Sequence, residues 1–225
     1  MESAIISLDE RRLGLMSLEG GETDRDGPPA PGTLAKELRR KAFHLLTLGY
    51  LAGYFVLGPD LALPATASLA AFITAVETAR LRSARGRAVV EGLFGPLIRD
   101  KEARRYTGAF YTSLGALAVV ACFANHPRVV TASLLYLAFG DAASAIIGLN
   151  YGRRVYRLWG RRRTLEGSAA GAVVALLCGW AAGLGPSGIL LGGAVFAFAD
   201  AVPLPPDDNF WIPVLPGTAL WLAGF

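Results

Sequence analysis

Cysteine and histidine are nearly missing from the chain, at two residues each among 225. Cys122 and Cys178 sit inside apolar runs, with no CxxC partner and no His/Asp cluster beside them, so they read as small hydrophobes. His126, between Asn125 and Pro127, reads as a turn residue. Charge is scarce too: 18% of residues are Asp, Glu, Lys or Arg, against 53% hydrophobic, which excludes an ordinary soluble domain. No internal repeat is evident, which argues against the inverted-repeat transporter architecture. An apolar leader is also lacking. Residues 1–32 are polar, acidic and rich in Gly and Pro, and read as a disordered cytoplasmic tail, not as a signal peptide.

What is present is a series of apolar runs with a mean hydropathy of +0.41 for the whole chain. A span needs about 20 apolar residues, and seven candidates qualify: 42–58, 61–79, 106–124, 129–151, 166–185, 188–202 and 210–225, the last two short. The expected fold is therefore an all-α, polytopic membrane protein of about seven transmembrane helices, forming a single domain over 33–225. The net charge of +4 is distributed unevenly. Cations cluster before and at Lys41, between Arg80 and Arg105, and between Arg153 and Arg163, with Arg128 the one outside these groups. These clusters fall in alternate loops, so the positive-inside rule places the N-terminus and those loops in the cytoplasm. Orientation alone accounts for the arginines, and a nucleic-acid partner is not expected.

Between Tyr136 and Gly171 an apolar span carrying Asp141 runs into a basic loop and then into Thr164-Leu-Glu-Gly-Ser168. On a helix, Asp141, Gly148 and Gly152 share one face. A carboxylate in a span is costly and by default functional, and bare glycine backbone leaves room for a ligand. The same residues, with Gly140 and Ser144, also suit a small-xxx-small helix-packing stripe. Thr164 is placed to cap the next span. Free N–H groups at Leu165, Glu166 and Gly167, with Arg162 and Arg163 alongside, would then make a phosphate site.

Elsewhere, Glu37, Arg40, Lys41 and His44 share a helical face. They serve either a phosphate pocket or simple anchoring of the first span. Residues 83–105 are too charged to cross, and part of this stretch should lie along the interface as an amphipathic helix. Arg99, Glu102 and Arg105 either form a solvated hinge or close over a bound nucleotide. Asp200 lies near the end of the sixth span. Asp207, Asp208 and Asn209 offer hard oxygen ligands suited to a magnesium–nucleotide, or else form a turn and helix cap. The last span is interrupted by Pro213 and Pro216.

Taken together these residues resemble the CTP-dependent lipid-alcohol kinases: dolichol or polyprenol kinase, phytol and farnesol kinase, and the yeast-type diacylglycerol kinase. The family motif Asp-x-x-Ala-x-x-x-Gly-x-x-x-Gly, followed by Lys-Lys-Thr-x-Glu-Gly, is matched by Asp141, Gly148, Gly152, Thr164, Glu166 and Gly167. Ser144 replaces the alanine, and Arg162 and Arg163 replace the lysines. Arg40-Lys41-x-x-His44, Arg99-x-x-Glu102 leading to Tyr106-Thr-Gly108, and Asp207-Asp208-Asn209 before Pro213 also look like family features. Asp200 stands where a glutamate is usual.

The resemblance runs from about Glu37 to the C-terminus. It implies a cytoplasm-facing site, CTP as phosphoryl donor, a divalent metal such as Mg2+, and a lipid alcohol in the bilayer as acceptor. Under it Asp141, Glu166, Lys41 and Arg40 are catalytic, and Asp141, Asp207 and Asp208 hold the metal. Gly148, Gly152, Arg162, Arg163, Thr164 and Gly167 bind nucleotide, with His44, Arg99, Glu102, Asp200 and Asn209 as further candidates. Membrane cytidylyltransferases carry a similar Asp…Gly…Thr-x-Glu-Gly run but end in a His-Gly-Gly…Asp-Arg-x-Asp segment that this chain lacks. A transporter or scaffold with an anion site is the non-enzymatic alternative.

Overall fold

A computed structural model of the chain describes residues 45–95, 98 and 102–225. Arg40, Lys41, His44, Arg99 and the 1–32 tail lie outside the described residues. The elements in order are α1 (Thr47–Arg82), α2 (Ala84–Phe94), α3 (Gly108–Phe123), α4 (Pro127–Leu135), a wide π-helical turn (Tyr136–Gly140) and α5 (Asp141–Tyr151). Then come the strands β1 (Val155–Leu158) and β2 (Arg161–Thr164), and the helices α6 (Leu165–Ala181), α7 (Pro186–Ala201) and α8 (Asp208–Leu222).

Helix dominates because the chain is rich in long apolar runs, whose backbone polar groups have no partner in lipid except one another. At 1.5 Å per residue, the 36 residues of α1 would reach about 54 Å, well beyond a bilayer core of about 30 Å. The run is divided at Gly58, which adopts φ 75° and ψ 165° just ahead of Pro59. That break falls between the first two spans expected from the sequence. Beyond it Ala62, Thr66, Ala70 and Glu77 are buried, at intervals of four, four and seven residues, so one stripe of the helix faces the bundle. Thr47–Arg82 and Pro127–Tyr151 are long and apolar enough to cross a membrane, while Gly108–Phe123, Leu165–Ala181 and Pro186–Ala201 are shorter apolar helices.

Pro213 and Pro216 do not end the last helix: α8 runs through both, and both are buried in it. Gly115 of α3 makes this possible, since a methyl there would meet Pro213 Cγ at 3.0 Å and the Asn209 carbonyl at 3.1 Å. Proline at 213 removes the donor that this carbonyl would otherwise have. The core between the helices is built from Val119, Val120, Val129, Leu134, Leu137, Phe196, Ile212 and Leu220, all completely buried.

Two elements differ from the sequence expectation. The basic segment after α5 is not a loop but a two-stranded antiparallel hairpin, with Val155 opposite Thr164 and Leu158 opposite Arg161. It turns at Trp159 and Gly160, both at positive φ. The fold is therefore mostly helical, not all-α. The fourth span is not one regular helix either, because the π turn, closed by the Asp141 N–H to the Tyr136 carbonyl, interrupts it immediately before Asp141.

Long-range bonds show which ends of the helices meet. Tyr54 donates to the Ala124 carbonyl at 2.6 Å, joining α1 to the far end of α3. At the other end of the bundle, Glu77, Arg80, Glu102, Thr107, Asp200 and Asp208 are connected to segments 102–107 and 161–163. The ends of α1, α5 and α7 thus gather there with the starts of α3, α6 and α8.

Candidate functional site at one end of the bundle

Asp141 and Asp200 are 2% and 1% exposed. Asp200 accepts from Ser144 Oγ at 2.7 Å. Arg163 Nη2 donates to its Oδ1 and to its backbone carbonyl, each at 2.6 Å. The serine standing in place of the motif alanine thus has a function: it ties α5 to α7 through the carboxylate. The Nε of Arg163 is buried with no partner among the described residues.

Glycines bring α5 and α6 together beside this pair. A methyl on Gly148 would lie 3.0 Å from Thr164 Oγ1, and one on Gly152 would lie 2.5 Å from Thr164 Cγ2. One on Gly167 would lie 2.6 Å from the Ser144 carbonyl and 2.9 Å from Gly148 Cα. The room that these glycines leave is filled by Thr164 and by the opposite backbone. Their packing role, one of the two readings open from sequence, is therefore realised.

Thr164 caps α6 as expected, accepting from the Gly167 N–H at 3.2 Å. Two of the three amides expected to be free at the start of α6 are engaged. Gly167 N serves Thr164, and Leu165 N donates to the Arg154 carbonyl at 2.9 Å. The Glu166 carboxylate receives the N–H groups of Arg153 and Arg154 at 3.1–3.2 Å. Glu166 therefore fastens the segment after Gly152 to the start of α6. An open cleft of about 640 Å³ lies here, lined by Asn150, Tyr151, Gly152, Arg153, Arg154, Leu165, Glu166 and Ala169.

Strand alternation divides the three arginines of β2. Arg161 and Arg163 share one face. Arg161 pairs with Asp208 and Arg163 with Asp200. Arg162 is exposed and shares the other face with Thr164, the residue seated on Gly148, Gly152 and Gly167. Arg162 and Arg163, named together from the sequence, thus point apart, and Arg161 was missed. Alternation along a recognised strand would have found it.

The Asp207–Asn209 segment starts α8. Asp207 is its N-cap and accepts from Asn209 N at 3.0 Å and from Asn209 Nδ2 at 2.6 Å. Asn209 is 1% exposed with a buried, unpartnered Oδ1. Gly108 permits this burial, because a methyl there would meet Asn209 Nδ2 at 2.7 Å and Glu102 Oε1 at 3.9 Å. Asp207 and Asp208 therefore face helix cap and arginine. Among the described residues no three His, Cys, Asp or Glu side chains form a metal-holding group. The donor set does not make a protein cage.

Sequence reasoning also passed over Glu77 and Arg80. Arg80 is wholly buried, bonds Glu77 at 2.9 Å and donates to the carbonyls of Glu102 and Arg105. Glu77 in turn accepts the Thr107 N–H at 3.0 Å. The 102–107 segment is thereby clamped to α1, with Glu102 itself buried. Within the described part of the expected hinge, the backbone is tied down while Ala103, Arg104 and Arg105 stay exposed. A charged pair three residues apart at the end of an apolar helix was the available signal.

The chain is similar to the CTP-dependent diacylglycerol kinase 1 of Schizosaccharomyces pombe, 26% identical over 147 residues, which are 58% of this chain and 66% of that protein. The match spans just under two thirds of the relative's length. No family model and no solved structure matches the chain. The similarity is weak homology to a CTP-dependent lipid kinase, and it supports the resemblance read from the motifs.

Proposed function

We propose that the chain is a membrane-embedded phosphotransferase that moves the γ-phosphoryl group of CTP to the hydroxyl of a lipid alcohol. The acceptor belongs to the polyprenol, phytol-like or diacylglycerol class. The observation that carries this reading is the buried carboxylate Asp200, with Asp141 beside it, held by Arg163 and Ser144 where the Thr164-Leu-Glu-Gly segment begins α6. Two buried acids at a membrane helix end, one of them paired with an arginine, are costly to maintain unless they serve a function.

The hydroxyl oxygen forms a bond to the γ-phosphorus as the bond to the β-bridging oxygen breaks. CDP leaves, and the hydroxyl proton passes to a carboxylate. Such a transfer demands alignment and charge neutralisation more than covalent help. Arg153 and Arg154 line the Gly152 cleft with positive charge, and Arg162, exposed on the Thr164 face of β2, adds to it. Glu166 positions the cleft wall through the Arg153 and Arg154 amides, and Asp141 and Asp200 are the carboxylates that would hold a divalent cation brought by the nucleotide, which would neutralise phosphate charge. In this proposal the site end of the bundle faces the cytoplasm, and Arg40 and Lys41 add cations from outside the described residues.

The test is an assay of the purified protein in liposomes with γ-labelled CTP, magnesium and a panel of the three alcohol classes. Label in one lipid with release of CDP supports the kinase and identifies the acceptor. Labelled pyrophosphate would replace it with a cytidylyltransferase, and no CTP consumption would remove both. Asp141→Ala should abolish turnover while the protein still inserts. Near-normal activity in that variant would rule out the proposed site.

A further inference from the structure

The two ion pairs of the hairpin span a corner of the fold. Asp200 closes α7 and Asp208 opens α8, with the 202–207 connection between them. Arg163 holds the first and Arg161 the second from one face of the same strand. Two residues of β-strand cover about 6.6 Å, so both ends of β2 are fixed to different helices. With both pairs made, the strand cannot roll, and the side chain between them, Arg162, must project to the opposite face, above Thr164 and the glycine contact. The Arg161 and Asp208 side chains are 23% and 17% exposed. Water therefore screens the pair only in part, and it contributes more than a fully solvated pair would.

We propose that Asp208 is a positioning residue for the nucleotide, acting through Arg161 and not as a metal ligand. Its carboxylate seats the hairpin so that Arg162 is presented to the phosphates while Arg163 remains on Asp200. This rests on the kinase reading for its catalytic consequence, but the seating itself does not. Loss of Asp208 frees the tip side of β2, while Arg163, the Thr164 cap and the Tyr156–Ser168 hydroxyl bond still hold its base to α6 and α7. The hairpin then samples orientations that turn Arg162 away, which weakens CTP binding and leaves the chemical step intact once CTP is bound.

Two measurements on the full chain in detergent test the proposal. The first is limited trypsin digestion, following cleavage after Arg157 and Arg162. The second is CTP turnover, with KM, kcat and the half-saturating Mg2+ concentration determined separately. Asp208→Ala should speed both cleavages by about fivefold and raise KM for CTP by about five- to tenfold, with kcat within about threefold and the Mg2+ dependence unmoved. Exchanging the charges, Arg161→Asp together with Asp208→Arg, should restore the trypsin resistance and the KM.

A charge exchange that fails to rescue, with a raised Mg2+ requirement in Asp208→Ala, would overturn the proposal and make Asp208 a metal ligand. Unchanged trypsin cleavage in Asp208→Ala would overturn it whatever the kinetics. If the wild-type chain consumes no CTP while cleavage responds as stated, the strut stands and the kinase reading falls.

Discussion

Gly167→Ala puts the contact between α5 and α6 to a quantitative test. The added methyl would lie 2.6 Å from the Ser144 carbonyl oxygen and 2.9 Å from both Gly148 Cα and Thr164 Oγ1. Two of the three neighbours are backbone, so no rotamer change relieves them. Restoring an ordinary contact of about 3.4 Å to the carbonyl requires the helices to part by roughly 0.8 Å, a gap that forfeits a quarter to a half of the local dispersion energy. Overpacking of this kind costs about 1–3 kcal/mol, offset by about 1 kcal/mol from the better helix propensity of alanine. The net loss is up to about 2 kcal/mol, or up to roughly 8 °C in Tm.

Gly92→Ala on α2 is the control. Nothing lies within 4 Å of its added methyl, so it should gain about 0.5–1 kcal/mol. Thermal unfolding in detergent followed by circular dichroism should therefore move in opposite directions for the two variants. Catalysis should suffer more than stability in Gly167→Ala, since a 1 Å misplacement of reacting groups costs about 100-fold. A Gly167→Ala protein with wild-type Tm and turnover would refute the claim that these glycines set the spacing of the site.

Arg80→Ala should leave Glu77 buried and uncompensated, at a cost of about 3–5 kcal/mol. A large fall in Tm and faster proteolysis within 102–107 are expected, and a shift of under 1 °C would show that the clamp is dispensable. Glu166→Gln keeps one carbonyl acceptor for the Arg153 and Arg154 amides but loses the charge, whereas Glu166→Ala loses both. If Glu166 acts by holding that segment, Gln should retain much of the CTP affinity and Ala little. Equal and complete loss of kcat in both, with KM unchanged, would instead make the carboxylate the proton acceptor.

The general plan of the bundle was legible because it depends on one-dimensional properties. Apolar run length gave the helices, the loop expected at Pro59-Asp60 falls beside the break at Gly58, and the charged 83–105 stretch, expected to hold an amphipathic helix, contains α2, capped by Ser83 accepting from Gly86 N. Thr164 was legible as a cap because its reach is three residues. The π turn was not legible. At it Gly140 meets the Phe196 ring, whose Cε2 and Cζ lie 2.7 Å from the place of a Cβ, a contact between residues 56 apart in the chain that local sequence does not reveal. The hairpin was missed for a different reason: four residues of Val-Tyr-Arg-Leu and four of Arg-Arg-Arg-Thr carry more charge than a strand usually shows. The charge is explained only by what the strand lies against.

That same dependence on tertiary context redistributed the carboxylates. In the sequence, Asp141, Asp200, Asp207 and Asp208 make one acidic group facing one basic group, and a metal site follows naturally. In the fold, each carboxylate with a known contact has its own partner. Asp200 takes Arg163 and Ser144, Asp207 takes the Asn209 amides, and Asp208 takes Arg161. Buried or half-buried charge is held stably only where it is compensated, and here the arginines of β2 supply that compensation from within the chain. A phosphate entering such a site finds arginines already committed to acids. Within β2 the arginine left exposed between them is Arg162; under the kinase proposal its charge is the one on this strand that an incoming nucleotide would gain at least cost, so strand geometry, more than the number of basic residues, would decide which arginine of the hairpin it meets.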